Sequence, residues 1–376
     1  MTTTGPTAPS APPARPSPTP APAPIAIAEA ARRFPGRRGY LNTATCGLPS
    51  TRSLAALASH LEEWRDGNCD PNGWDAPVRA CRQMFAALAG VPVEWVAVGS
   101  QASVFAGMVA ASVPEGATVL LPEGDFTSVL WPFLVEGERG VHARVVPLGE
   151  LIGAVDDHTA WVAASLVQSA EGTVIELAAL RRAADRHGAR LLLDATQAAG
   201  WLPLDGPACD VLIASGYKFL AGPRGTCYAT IRPEVLPLLT PHTAGWYAGA
   251  EVSESYYGTP LRLSPDARRL DVSPAWPCWF GAEPALRLLL DVGIDAIHQH
   301  VTALAATLRA RLNLPAPAGQ AVIPSAIVSL PGDDQVLARL HAAGIKAAGR
   351  AGRVRLSFHL YNDEDDVERA AACFVP

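Results

Sequence analysis

From residue 95 onward, short apolar runs alternate with stretches patterned for helices, and few architectures accept that order. The runs at 95–98, 118–121, 161–166, 191–193 and 211–214 are strand-length and show no polar alternation. A strand that is apolar on both faces must be covered on both, so the pattern predicts an α/β fold with a mainly parallel sheet between helical layers. Helices are expected from Ser100, Thr127 and Glu176. The run 226–231 follows a Gly/Pro turn and reads as an added antiparallel strand. Upstream, Leu54, Leu57, Ala58, Leu61 and Trp64 recur at helical spacing behind Ser50, and a second helical stretch covers 77–89. Past about Phe280, a long helix over 285–312, bent near Gly293, leads into a strand, helix, strand, helix series ending at Cys373. The expected organisation is a Pro/Ala-rich disordered tail (1–30), a large domain with an N-terminal segment (40–280) and a smaller C-terminal α/β domain (281–376).

Composition narrows the partners. The first two dozen residues are Pro, Ala, Thr and Ser, too weakly apolar to offset the entropy of ordering, and they lack the basic start and apolar run of a signal peptide. No stretch approaches eighteen consecutive apolar residues, so no membrane span is expected. With 30 basic and 36 acidic residues, a net charge of −6 and no basic block, the chain lacks the footprint of a nucleic-acid binder, which favours a small-molecule partner. Seven scattered cysteines without Cys-x-x-Cys suggest neither a disulfide framework nor a metal site; reduced thiols in a cytoplasm fit best. Neither Gly-x-Gly-x-x-Gly nor Gly-x-x-x-x-Gly-Lys-Ser/Thr is present, against a nicotinamide or nucleotide-phosphate enzyme.

Sheets of this kind bind ligands beyond the carboxyl ends of their strands. One such end carries Leu193-Asp194-Ala195-Thr196-Gln197, where a carboxylate needs a cation or donors to face it, or else serves as a helix cap. Another carries Ser215-Gly216-Tyr217-Lys218-Phe219, followed by Gly222-Pro223-Arg224-Gly225. An amine between two aromatic residues, partly desolvated, loses proton affinity and becomes an imine-forming nucleophile; a snorkelling surface lysine is the plainer alternative.

Taken together, Asp194-x-x-Gln197 and, 24 positions after the Asp, Lys218 in Ser-x-x-Lys before a Gly-Pro-Arg-Gly turn resemble the class V aminotransferase family of fold-type I pyridoxal 5′-phosphate (PLP) enzymes. That family includes cysteine desulfurases and kynureninase-like and isopenicillin-epimerase-like proteins, and the resemblance runs from about Tyr40 to the C-terminus. It implies that Lys218 holds the cofactor as an imine and moves the substrate's α-proton. Asp194 would keep the pyridine nitrogen protonated, Gln197 would donate to the phenolic oxygen, and Phe126 would stack on the ring. Gly99-Ser100-Gln101-Ala102-Ser103 matches the phosphate loop, with Gln101 in place of the usual Thr, so backbone amides matter more there. Ser215 and Tyr217 match positions that reach the phosphate beside the lysine. Ser273, in Asp271-Val272-Ser273-Pro274, would complete the phosphate cup of a partner subunit in a homodimer, or is a turn serine before proline. Gln168 and Ser169 would line the pocket over the ring.

The substrate implied is an amino acid, and its carboxylate calls for a fork-shaped cation. Residues 353–362 read as a strand that puts Arg353 and Arg355 on one face, and Arg355 matches the family's carboxylate-binding arginine in its Arg-x-Ser context. Arg353 is expected at the edge or in solvent. The desulfurases' loop cysteine has no counterpart, because 314–353 contains no cysteine. That leaves transamination first, with carbon-sulfur β-elimination or epimerisation as alternatives. Trp246, Tyr247, Tyr256, Tyr257, Trp276 and Trp279 form an aromatic region expected at a dimer interface, or else around a pocket.

Overall fold

The computed structural model describes residues 24–68, 70–314 and 323–374. In chain order the helices are α1 (Ile27–Ala31), α2 (Thr51–Arg65), α3 (Pro71–Ala89), α4 (Ala102–Ala111), α5 (Thr127–Val135), α6 (Leu177–His187), α7 (Trp276–Val292), α8 (Ile294–Arg311), α9 (Asp334–Ala342) and α10 (Glu364–Ala372). The strands are β1 (Val96–Gly99), β2 (Thr118–Pro122), β3 (His142–Val146), β4 (Thr159–Ser165), β5 (Arg190–Asp194), β6 (Val211–Ser215), β7 (Cys227–Ile231), β8 (Ile327–Pro331), β9 (Ala348–Arg350) and β10 (Arg353–Ser357).

Seven strands form one sheet in the order β1-β7-β6-β5-β4-β2-β3. All run the same way except β7, which is antiparallel to both β1 and β6, as its turn-preceded run suggested. Successive residues alternate between two apolar layers. Leu191 and Leu193 point to the layer that holds Val78, Phe85, Leu180 and Leu286, whereas Leu192 points to the one that holds Phe105, Met108, Val129 and Phe133. This two-sided burial explains why the strands read as unbroken apolar runs. The edge strand β3 is half exposed, and its sequence, His-Ala-Arg-Val-Val, carried no such signal.

The second sheet is small and antiparallel, ordered β8-β10-β9. The single long helix expected over 285–312 is instead two: it begins at Trp276 and breaks at Gly293, whose φ of 88° few other residues adopt. The tail expected over 1–30 lies mostly outside the described residues, but its last part is corrected by α1, where Ala30 is fully buried. Among the described residues, no helix is long and apolar enough to cross a membrane.

Helix α2 forms behind its Ser50 cap, which accepts from the Ser53 amide at 3.1 Å, yet its apolar stripe faces outward: Leu54, Leu61 and Trp64 are 47%, 51% and 60% exposed. The buried face instead carries His60, whose ring stacks on Phe280 with centroids 4.1 Å apart. The aromatic region also divides, since Trp279 and Tyr247 are core residues and only Tyr256 and Tyr257 stand out in solvent.

The chain around Ser273 is pinned to β1 by a buried ion pair. Asp271 receives Arg82 at 2.5 Å and the Val98 amide at 2.8 Å, while Arg82 also donates to the Val96 carbonyl. Replacing Arg82 with Leu leaves a buried, uncompensated carboxylate, a loss of about 3–5 kcal/mol. The variant's unfolding midpoint in denaturant should fall accordingly; an unchanged midpoint would show that the pair does not hold this segment.

Candidate active site

Five of the parallel strands end on the same edge of the large sheet, and each delivers residues there. Strand β1 leads to Ser100 and Gln101, β2 to Asp125 and Phe126, β4 to Gln168 and Ser169, β5 to Asp194 and Gln197, and β6 to Tyr217 and Lys218. All the site residues proposed for the large sheet therefore lie at its carboxyl edge.

Lys218 is buried, with its Nζ 5.1 Å from the ring centroid of Phe126 and 5.7 Å from that of Tyr217. Desolvation is the main effect on the amine and lowers its pKa to about 8; Asp194 pulls it back up, while Arg355, Arg350 and Arg224 push it further down. Phe126 is 42% exposed, a poor core residue and an available face. Asp194 is buried at the end of β5, where its Oδ1 accepts the Thr196 amide at 2.8 Å, and burial raises its pKa. The Thr196 hydroxyl accepts the Ser215 amide at 2.9 Å, which ties the Asp194 turn to the strand that carries the lysine.

Asp125 is a residue that motif reading passed over. Its carboxylate accepts the amides of Phe126 and Ser165, both at 2.6 Å, and Gln168 Nε2 at 3.3 Å. It thus fixes Phe126 and Gln168 relative to one another. A strand-end Asp after Gly124 was the available signal, of the same kind as Asp194.

The more consequential omission is the segment 42–47, which closes the site from the N-terminal side. Ala44 accepts Gln197 Nε2 at 3.0 Å, and the Gly47 amide donates to the Tyr217 carbonyl at 2.8 Å. A methyl group on Gly47 would run into the carbonyl of Lys218, so only glycine allows this approach. Thr45 Oγ1 accepts Arg355 at 2.7 Å.

Arg355 is fully buried, and its other terminal nitrogen donates to Ser169, at 2.6 Å to the carbonyl and 3.2 Å to the hydroxyl. Its Nε and the Oε1 of Gln197 are buried without partners among the described residues. Burial lowers the guanidinium pKa to about 10, with nearby Arg350 adding to the effect. Arg353, by contrast, turns both its donors to Ser329 on the neighbouring strand at 3.0 Å. Gln101 caps α4 with its backbone alone, so Ala102 and Ser103 present first-turn amides beside Ser100. Ser273 is exposed, as a residue that reaches toward another molecule must be.

A buried amine that makes no ion pair among the described residues, first-turn amides at one end and a buried guanidinium whose Nε lacks a partner at the other suit a phosphate-bearing aldehyde and a carboxylate substrate. The lowered pKa is directly testable in cofactor-free protein. Reductive labelling of Lys218 by an aldehyde needs the neutral amine, so its rate should rise with pH to a midpoint near 8, whereas a midpoint at the ordinary 10.5 would mark a solvated lysine.

The class-V aminotransferase family model matches residues 78–319. The uncharacterized aminotransferase YcbU of Bacillus subtilis (strain 168) is 26% identical over 292 residues, covering 76% of this chain and 74% of the relative. The isopenicillin N epimerase of Amycolatopsis lactamdurans is 26% identical over 383 residues, covering 88% and 93%. Among solved structures, a C-DES mutant with glycine covalently linked to the PLP cofactor superposes with a TM-score of 0.81 at 22% identity over 91% of this chain and 97% of that one. The cysteine desulfurase from Thermococcus onnurineus NA1 gives 0.79 at 20% identity over 93% and 98%. These two establish the fold, and the family match, which takes in well over half of the sequence, establishes the rest: the chain belongs to the class-V aminotransferase family and is a PLP-dependent enzyme of fold type I.

Proposed function

We propose that the enzyme carries PLP on Lys218 and transaminates an amino acid whose α-carboxylate is held by Arg355. The observation behind this reading is the placement of a buried amine close to both Asp194 and the guanidinium of Arg355, whose Nε has no partner among the described residues. The cofactor, when bound, supplies an electron sink that acidifies the α-C–H of an attached amino acid. The remaining work falls to the protein. Asp194, whose pKa burial raises despite its bonds from Thr196, would be held ionised by a protonated ring nitrogen and would in turn keep that proton in place. Phe126, whose ring lies against Lys218, would cover one face of the cofactor, and Gln197, tethered to Ala44 and Ser169, would donate to its phenolic oxygen. The first-turn amides at 102–103, with Ser100, Gln101, Ser215 and Tyr217, receive the phosphate. Lys218, once released, is the base that moves the α-proton.

Epimerisation is the second reading, favoured by the isopenicillin N epimerase relative that spans most of the chain. Both reactions need a base at the α-carbon and differ in where the proton returns. Persulfide chemistry is disfavoured, because 314–353 contains no cysteine.

The working unit in this reading is a homodimer in the cytoplasm, with a large domain over 40–280 and a small one over 281–376. The exposed stripe of α2 and the exposed Trp131 and Val135 of α5 are apolar surfaces that a second copy would cover, and Ser273 would reach the partner's phosphate. All six described cysteines are free, in keeping with a reducing compartment.

Borohydride reduction of the yellow protein followed by peptide mapping should place a pyridoxyl group on Lys218, and Lys218→Ala should abolish it; a label on Lys346 would overturn the assignment. Incubation with amino acids should then yield the 2-oxo acid, whereas loss of optical activity without oxo acid would select epimerisation. Asp194→Ala should lower turnover by orders of magnitude while the cofactor still binds. In Arg355→Lys the charge persists but the two-pronged geometry is lost, which removes about 2–4 kcal/mol, or thirty- to a thousandfold in kcat/KM, with the resting spectrum unchanged. Equal losses for an amino acid and its decarboxylated amine would remove Arg355 from the carboxylate site.

A further inference from the structure

Arg355 has a companion. Arg350, at the end of β9, donates to Thr45 Oγ1 at 3.3 Å, the same oxygen that Arg355 reaches at 2.7 Å. Every hydrogen bond recorded for these two guanidinium groups ends on a neutral oxygen: Thr45 for both, Ser169 for Arg355 and the Gly349 carbonyl for Arg350. A hydroxyl can accept from both, but it offsets neither charge. Two like charges converging on one neutral atom, one of them buried, repel unless an anion arrives.

Arg350 is brought there by the backbone. The hairpin between β9 and β10 turns on Ala351 and Gly352, with φ of 49° and 71°, the pair of positive values that a tight two-residue turn of this hand requires. This pairs Arg350 opposite Arg353 and Ala348 opposite Arg355, so all three arginines share one face of the small sheet. Arg353 leans away to Ser329, which leaves Arg350 and Arg355 to face the 42–47 segment. Arg350 also lies near enough to Lys218 to make its amine less basic.

We propose that the substrate is an amino acid with a second acidic group in its side chain, bound by Arg350 across Thr45 from the α-carboxylate on Arg355. The inference rests on Arg355 as the α-carboxylate clamp, the reading given above. The two nitrogens that share Thr45 can be no farther apart than the sum of their distances to it, which sets the two guanidinium groups side by side and favours acids joined by a short chain, as in aspartate or glutamate. An exposed arginine suits a carboxylate at the mouth of the site, where solvent screening keeps the contact moderate.

Calorimetric titration of the holoenzyme with unreactive acids separates the two arginines. Succinate and glutarate should bind at least about tenfold more tightly than propionate and butyrate, a margin of about 1.4 kcal/mol. Arg350→Ala should reduce that ratio to near unity, and Arg350→Gln should do the same. Arg355→Ala should weaken all four acids. In turnover, wild type should prefer aspartate or glutamate over asparagine or glutamine, which match them in shape, and both Arg350 variants should lose the preference. If Arg350→Ala weakens mono- and dicarboxylates equally, both arginines grip a single carboxylate and the proposal fails. If it changes nothing, Arg350 is a surface charge and the proposal fails as well. If Arg355→Ala leaves every acid unaffected, the α-carboxylate site itself is misplaced, a different failure that removes the earlier reading too.

Discussion

A primary amine held away from water is the constraint around which this molecule is organised. An ammonium at Lys218 would prefer solvent, and burial moves its equilibrium toward the neutral form. What keeps the amine buried is β6, a fully buried strand whose last residue is only three positions before the lysine. Its neighbours supply the one carboxylate that steadies the charge, and the arginines across the cavity oppose it. The balance leaves a nucleophile near neutrality, a condition that a flexible surface lysine could not meet.

Geometry around that amine comes from three separate fastenings, none of which involves a group expected to react. Asp125 locks the ends of β2 and β4 together, Thr196 locks the ends of β5 and β6, and His359 Nε2 donates to the Phe219 carbonyl at 2.8 Å. Burial lowers the His359 pKa to about 4, so the ring stays neutral at physiological pH and its bond to the lysine segment does not vary with proton concentration there. Such contacts make the strand ends behave as one rigid platform, which is what a reaction that depends on orbital alignment needs.

The strands were legible in the sequence because each is buried on both faces, and β3 escaped notice because it is not. Lys218 and Asp194 stood out as charged residues in an apolar setting, but each alone had a plainer explanation, and the roles proposed for them and for Arg355 came from motif spacing and resemblance. Thr45 and Gly47 gave no such signal. A threonine and a glycine in a loop near the N-terminus resemble any turn, and their role arises from contact with residues hundreds of positions away. The stripe on α2 marks a limit of such reading: helical spacing located the helix correctly, but periodicity alone cannot say whether the apolar side meets its own chain or another surface. Gly293, expected to bend a helix, ends one, since a φ of 88° cannot continue it.

The 42–47 segment has a consequence for how the chain is made. Asn42 bridges Ser357 in β10, the Leu41 amide bonds to Lys346, and Asn362 donates to the Tyr40 carbonyl. Tyr40, Leu41 and Asn42 thus wait for partners made much later, whereas Ala44 and Gly47 can already meet Gln197 and Tyr217. Until then the large sheet can assemble, strand by strand, with its lysine already in position but with one wall of the cavity missing. Closure of this wall therefore waits until β10 has been made, however early the large sheet forms, and until then Lys218 lies beside an opening that Arg355 has yet to fill.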